Sequence, residues 1–221
     1  AGSVLVQYGD TVVLNACATG PPRPGLDFFP LMCDYRERTS AAGKFPGGFM
    51  KREGRPSTKE ILTARLMDRP IRPLFSDGFC DEVQCQSIVV SSDRQNDADI
   101  IAMNGNAAAL HISPLPFLGP VASIRLGRID ERWVPFPTHD ELEESELDLI
   151  VSGNDASVLM IEGFAREMPE QLMYEAIEES HRYIRELCQL HEELRQQVGV
   201  TKVEFQPTGD GGLRERLRES Y

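Results

Sequence analysis

FPGGFMKREGRPSTKEILTARLMDRPIRPLF, residues 45–75, decides how the rest of this 221-residue chain is read. Gly43 to Arg55 holds four glycines and Pro46, shows no periodicity and reads as a loop. A helix then starts with strong signals. Ser57 is an N-cap candidate, Glu60 three residues later completes a capping box, and Pro56 precedes both. Ile61, Leu62, Ala64 and Leu66 are expected on the buried face, with Pro70 stopping the helix and Pro73 preventing a restart.

Upstream, SVLVQYGDTVVLNACA alternates apolar and polar residues around Gly9-Asp10 and predicts a β-hairpin, and FFPLMCDYRERTS predicts a further strand. Downstream, EVQCQSIVVSSD reads as a strand, and DADIIAMNGNAAALHIS as a small-residue helix with Asp97 as its cap. GPVASIRLGRIDERWVPFP predicts a second hairpin turning at Asp130-Glu131. Leu147 to Ser152 and Ser157 to Glu162 predict two short strands around the turn GNDA. A long amphipathic helix is expected from Pro169 to Val198, burying Leu172, Ala176, Ile177, Ile184, Leu187, Leu190 and Leu194. After Gly199 come a short extended stretch, TKVEFQP, and LRERLRESY, an incipient helix. Strands and helices mixed in this way predict an α/β or α+β fold with one main domain.

The composition, 41% hydrophobic and 26% charged, is that of a globular chain, and no run approaches the roughly 20 apolar residues of a membrane span. AGSVLVQYGD has no basic region followed by an apolar block, so it does not read as a signal peptide. It lacks an initiator Met, and the sequence reads as a piece of a longer chain. Five scattered cysteines without a C-x-x-C pair, and four histidines without zinc spacing, predict reduced and mostly buried thiols. His181 and His191 are expected at the surface of the long helix. The run Glu141, Glu143, Glu144, Glu146 and Asp148 is expected to be a solvated connection rather than a metal site.

Charge is distributed unevenly. Lys44, Lys51, Arg52, Arg55, Lys59, Arg65, Arg69 and Arg72 face only Glu53, Glu60 and Asp68, a local +5. The rest of the chain, with 15 cations and 32 anions, carries −17 of the net −12. A basic island in an acidic chain attracts polyanions. Arg65 and Arg69 share one helix face, arginine forks match phosphate oxygens two at a time, and Phe49 and Met50 could press on an unstacked base. The alternative is a solvated basic face with local pairs such as Asp68 to Arg72. G-x-x-x-x-G-K-[ST] and G-x-G-x-x-G are both absent from this region, which argues against an ordinary nucleotide-binding loop.

Residues 45–75, with DFFPLMCDYRERTSAAGK before them and ELEESELDLIVSGNDASVLMIEG after, resemble the first RNase PH-type domain of the polynucleotide phosphorylase family. The resemblance implies a ribosomal protein S5 domain 2-like fold, a mixed sheet packed with helices. Residues 1–198 would form the first RNase PH-type domain without its opening strands, and residues 199–221 the start of an all-helical linker. It further implies part of a phosphorolytic 3′-to-5′ exoribonuclease that turns RNA and inorganic phosphate into nucleoside diphosphates. Such enzymes form homotrimeric rings with Mg2+ or Mn2+ held in a second domain, and they act on single-stranded RNA, alone or with RNA-degradation partners. They work in the bacterial cytoplasm or, alternatively, in organelles. Phe49, Met50, Lys51 and Arg52 match the family's channel-narrowing loop, with Met50 where relatives often carry a second phenylalanine. Arg65, Arg69 and Arg72 match its RNA-handling arginines, and Arg55 lies between the two groups.

The family's active domain places a G-S-S-S run at a helix start to bind phosphate and a D-x5-D-x-K pattern to hold metal. Aligned on Gly105, the serine run falls on Asn96, Asp97, Ala98 and Asp99. Aligned on SELDLIVSG, the second pattern falls on Leu142, Asp148 and Ile150. One carboxylate survives, so this domain is expected to be non-catalytic, with no catalytic residue and no metal site of its own. Two alternatives stand beside that reading: an autonomous RNase PH-like enzyme, and a purely structural ring-forming domain.

Overall fold

A computed structural model describes residues 1–205 and Arg218. Two four-stranded sheets enclose one helix. In the first, β1 (Gly2–Tyr8) and β2 (Thr11–Gly20) form the expected hairpin, turning at Gly9 with φ 58°. β3 (Leu31–Glu37) follows, then α1 (Thr58–Ile71) and β4 (Glu82–Ser91). β4 lies antiparallel to β2 and parallel to β3, giving the order β1-β2-β4-β3.

Helix α2 (Ala98–Ile112) comes next, followed by β5 (Ala122–Ile129) and β6 (Arg132–Pro135). Asp130 and Glu131, at φ 46° and 62°, make the mirror-type turn that suits a two-residue hairpin. A short helix, α3 (His139–Glu144), precedes β7 (Leu147–Gly153) and β8 (Val158–Ala165), and the wholly antiparallel second sheet has the order β6-β5-β7-β8. The long helix α4 (Glu170–Val198), ended by Gly199 at φ 69°, packs on β5 and β7.

α2 lies between β1, β2 and β4 on one side and β5 and α4 on the other, and every residue from Ala98 to His111 is buried. Five alanines and Gly105 make this possible, since a Cβ at Gly105 would overlap the Asn15 side chain and Val6. Some of the buried polar groups are matched, whereas the Asn106 amide has no hydrogen-bond partner among the described residues. Asn104 donates to the Ser123 carbonyl and accepts from the Ser123 amide, both at 2.8 Å, which fastens α2 to β5. Asn15 accepts from the Ser87 hydroxyl at 2.6 Å.

Several expectations need correction. The buried row of α1 is Thr63, Met67, Pro70 and Ile71, whereas Ile61 and Leu62 are 50% and 51% exposed. Thr63, β-branched and carrying a methyl group, packs inward with Met67 and Ile71. Pro70 does not stop the helix but sits in its last turn, its ring buried, before a 3-10 turn at Arg72–Leu74. On α4 the buried row is Ala176, Ser180, Ile184, Cys188 and His191, with Leu190 exposed. The acidic run at 139–144 is helical because Thr138 and Glu141 form a capping box. The five cysteines are free, and three of them are buried.

His191, expected at the surface, is 5% exposed and packs close to His111 of α2; both Nδ1 atoms lack a hydrogen-bond partner among the described residues. His111 Nε2 lies 2.8 Å from the Glu192 carboxylate. From Val203, whose amide donates to the Pro114 carbonyl, to Phe205, edge-on to Phe79 at 5.3 Å, the chain lies back on the first sheet's core. LRERLRESY, expected as a helix start, lies outside the described residues except for Arg218.

Burial, and then the neighbouring His111, push the His191 pKa down to about 4. Neutral His191 therefore contributes stability fully present above its unfolded pKa of about 6.5, and this is lost as pH falls through about 4. Denaturant unfolding of the His191→Leu variant should show a shallower stability loss between those pH values. The difference from wild type should reach about 3 kcal/mol; parallel curves would show that this imidazole does not set acid lability.

Candidate nucleic-acid interface

Between β3 and α1 the chain folds a 3-10 turn, Thr39–Ala42, ending in Gly43 at φ 67°, and then the glycine-rich loop. Gly48 (φ 74°) and Lys51 (φ 49°) take left-handed backbone that turns the loop tip outward. Phe49 is 98% exposed and Met50 68%. Large apolar side chains this exposed are informative when they sit together among charges. Lys44, Lys51, Arg52, Arg55 and Arg65 are exposed and form no ion pair with any described residue.

The capping box at the start of α1 is present in full. The Glu60 amide donates to the Ser57 hydroxyl, and the Glu60 carboxylate accepts from the Ser57 amide at 2.6 Å. Its second oxygen accepts from the Glu37 amide at 3.0 Å, which pins the helix start to β3. Between α1 and the outer strand β3 lies an open groove of about 520 Å³, lined by Met32, Tyr35, Ile61, Arg65 and Arg69 among others. Arg69 reaches Glu162 of β8 at 2.9 Å, with both side chains more than half exposed. Such pairs contribute about 0–1 kcal/mol, so a competing phosphate can take Arg69. Arg72 differs. It holds Asp68 in a two-pronged pair, donates to the carbonyls of Phe29 and Leu31, and lies over the Phe29 ring at 5.7 Å. Its guanidinium ties α1 to the segment entering β3.

The N-terminus of α2 carries the residues aligned with a phosphate-binding serine run. Asp97 stands at the N-cap without capping the helix, because its carboxylate is held by Lys59 at 2.7 Å and Arg125 at 3.0 Å. Arg125, from β5, also meets Asp99 at 3.3 Å and Asp148 at 2.9 Å, and Lys59 reaches Glu37 at 2.8 Å. The structure thus brings Asp97, Asp99 and Asp148 onto one nearly buried guanidinium, while Leu142 lies on α3 and Ile150 in the core. Burial disfavours ionised Asp97, but Lys59 and Arg125 outweigh that and hold its carboxyl below the usual range. Asp99 goes the other way: burial, against the attraction of Arg125, pushes it up to about 6.

The cavity beside Asp97 and Arg125 measures about 20 Å³, room for about one water. Two carboxylates already supply the negative charge that a helix N-terminus favours. Among the described residues no group of three or more His, Cys, Asp or Glu side chains could hold a metal ion. The carboxylates gathered here point at cations of the chain itself, so these residues do not fit the divalent ion that the resemblance implies. No described helix is long and apolar enough to cross a membrane.

Two sheets around a buried helix, with a basic loop beside them, define a class that the comparisons make specific. Residues 1–116 match domain 1 and residues 119–183 match domain 2 of the 3′ exoribonuclease family, the break falling between α2 and β5. The chain belongs to that family. Within it, the chain is 64% identical over its whole length to the polyribonucleotide nucleotidyltransferase of Rhodopirellula baltica, covering 29% of that protein. It is 49% identical to the protein of the same name from Bacillus subtilis over 92% of the chain, again covering 29% of the relative. The chain thus spans less than a third of the length of these relatives. A chain of the Archaeoglobus fulgidus exosome, solved with RNA bound to the active site, shares the fold at a TM-score of 0.64 and 20% identity, covering 89% of this chain and 82% of that one.

Sequence reading missed Arg125 as the centre of the network. The available signal was an arginine between Ile124 and Leu126 in the middle of the strand ASIRLGRI, a position that demands partners. Asp99, raised to about 6, adds stability fully present below its unfolded pKa of about 4, and that stability is lost as pH rises through about 6. Asp99→Asn should therefore gain on wild type as pH rises from 4 to 7, by about 3 kcal/mol in denaturant unfolding. A difference that does not change with pH would mean that Asp99 is as easily ionised folded as unfolded.

Proposed function

We propose that this chain is the RNA-engaging, non-catalytic first RNase PH-type domain of a phosphorolytic 3′-to-5′ exoribonuclease. Residues 1–198 form that domain, and the chain from 199, whose first part to Phe205 still packs on the domain, leads into a helical linker. In the whole protein, inorganic phosphate attacks the 3′-terminal phosphodiester and releases a nucleoside diphosphate. Mg2+ or Mn2+ and the phosphate bind in another domain, three chains form the ring, and RNA-degradation partners join it in the bacterial cytoplasm.

One contrast carries the reading. The position suited to phosphate is filled by Asp97, Asp99, Arg125 and Lys59, whereas Lys51, Arg52, Arg55 and Arg65 stand exposed and unpaired among the described residues. Arg125, nearly buried and matched by three of the chain's own carboxylates, cannot take a substrate phosphate without a large desolvation cost. Exposed arginines lose little on contact with a polyanion and release its counterions. Phe49 and Met50 supply apolar surface for unstacked bases, and Arg65 and Arg69 extend the same track along α1. Arg72, expected alongside them, contributes by fixing the entry to β3, with its exposed edge left for an added contact.

The full-length protein with Arg65→Ala and Arg69→Ala should bind single-stranded RNA more weakly, about equally for all sequences. Its affinity should also fall less steeply with salt, by up to about two in the slope of log K against log salt. Binding titrations across a salt series check this, and an unchanged slope would remove the arginines from the RNA track. The 221-residue chain incubated with RNA and phosphate should release no nucleoside diphosphate; release would favour the autonomous enzyme.

A further inference from the structure

The loop that carries Phe49 to Arg52 is closed by a single residue. At its start, the Lys44 amide donates to the Thr39 carbonyl at 3.1 Å. At its end, the Glu53 carboxylate accepts from the Thr39 amide at 3.0 Å and from the Thr39 hydroxyl at 2.8 Å. Both stems of the ten-residue segment from Lys44 to Glu53 thus converge on Thr39, the arrangement of an Ω-loop. Thr39 opens a 3-10 turn that is itself fixed to the first sheet: the Ser92 amide donates to the Ala41 carbonyl at 3.1 Å, and the Arg94 guanidinium to that of Ala42.

Glu53 is out of place by charge, as the only anion between Lys44 and Arg55, where it repels any phosphate the loop approaches. Its carboxylate has a use that the charge does not explain: one oxygen takes both donors of Thr39. We propose that Thr39 and Glu53 are positioning residues, a clamp that holds the loop tip at a fixed height and orientation so that RNA meets it already ordered. This rests on the reading of the loop as an RNA grip and adds the part that holds it. Ordering a flexible loop at the moment of binding costs affinity, and a clamp in the free protein removes that cost.

The two roles of Glu53 give opposite signs, which makes the inference testable in the full-length protein with a fluorescently labelled single-stranded oligoadenylate. Glu53→Gln keeps an oxygen acceptor for Thr39 and removes the repelling charge, so it should bind as tightly as wild type or more tightly. Glu53→Ala removes the same charge together with the clamp, and should bind about three- to tenfold more weakly. Thr39→Val, which loses one of the two bonds from Thr39 to Glu53, should fall between. Hydrogen–deuterium exchange should quicken in residues 44–53 of Glu53→Ala with the melting temperature unchanged. The salt slope should stay that of wild type, because no phosphate contact has been removed. Glu53→Ala binding as tightly as Glu53→Gln, while Lys51→Ala with Arg52→Ala weakens binding, would overturn the clamp and leave the grip standing. Lys51→Ala with Arg52→Ala binding like wild type would overturn the grip and the clamp with it. Should Glu53→Ala lower the melting temperature, the decision passes to Thr39→Val, whose affinity equal to wild type would overturn the clamp.

Discussion

A helix buried on every side constrains the whole molecule. α2 has no solvent face, so two sheets and α4 can approach it only where its side chains are small or its polar groups are answered. The alanines and Gly105 satisfy the first condition, and the paired bonds between Asn104 and Ser123 the second at that position, although the buried Asn106 amide has no partner among the described residues. Burying a helix this completely also brings its N-terminus inside, where the partial positive charge of the first turn must be met. Asp97 and Asp99 meet it, and their own charge then requires Lys59 and Arg125. The network beside α2 thus follows from the placement of the helix.

The cations of the acidic chain fall into two kinds. Arg125, Arg72 and Lys59 are committed to carboxylates or carbonyls that join separate elements. Lys51, Arg52, Arg55 and Arg65 hold nothing of the protein together, and Arg69 holds only an exposed pair. Net charge alone does not separate the two kinds. Fixed cations set architecture, and uncommitted ones set the field that an approaching polyanion meets.

The sequence made most elements legible, because hairpin turns, capping boxes and proline breaks act over a few residues. The Gly9 and Asp130-Glu131 turns and the Ser57–Glu60 box stand where local rules put them. Faces were harder to read. Thr63 and His191 are buried although their side chains are polar, and Leu62 and Leu190 are exposed although theirs are apolar, because tertiary partners decide which face turns inward. The Asp68–Arg72 pair was legible as neighbours on one helix. The clustering of Asp97, Asp99 and Asp148 on Arg125, with Lys59 on Asp97, was not, since it draws on four separate places in the chain. The Thr39–Glu53 contact spans fourteen residues across a loop without periodicity and left no local trace.

The filling of the α2 N-terminus also bears on which mutational paths are open to this chain. Restoring a neutral, anion-accepting helix start would require both Asp97 and Asp99 to go. Whichever leaves first deprives a buried cation of a partner while the other carboxylate still bars a phosphate. Asp97, whose carboxyl Lys59 and Arg125 hold below the usual range, cannot go without loss of stability, while Arg125 keeps Asp97 and Asp148 if Asp99 goes. Neither single change opens the position, so no binding could reward it alone. The two carboxylates act as a double lock: this corner of the fold opens to an anion only when two residues change together.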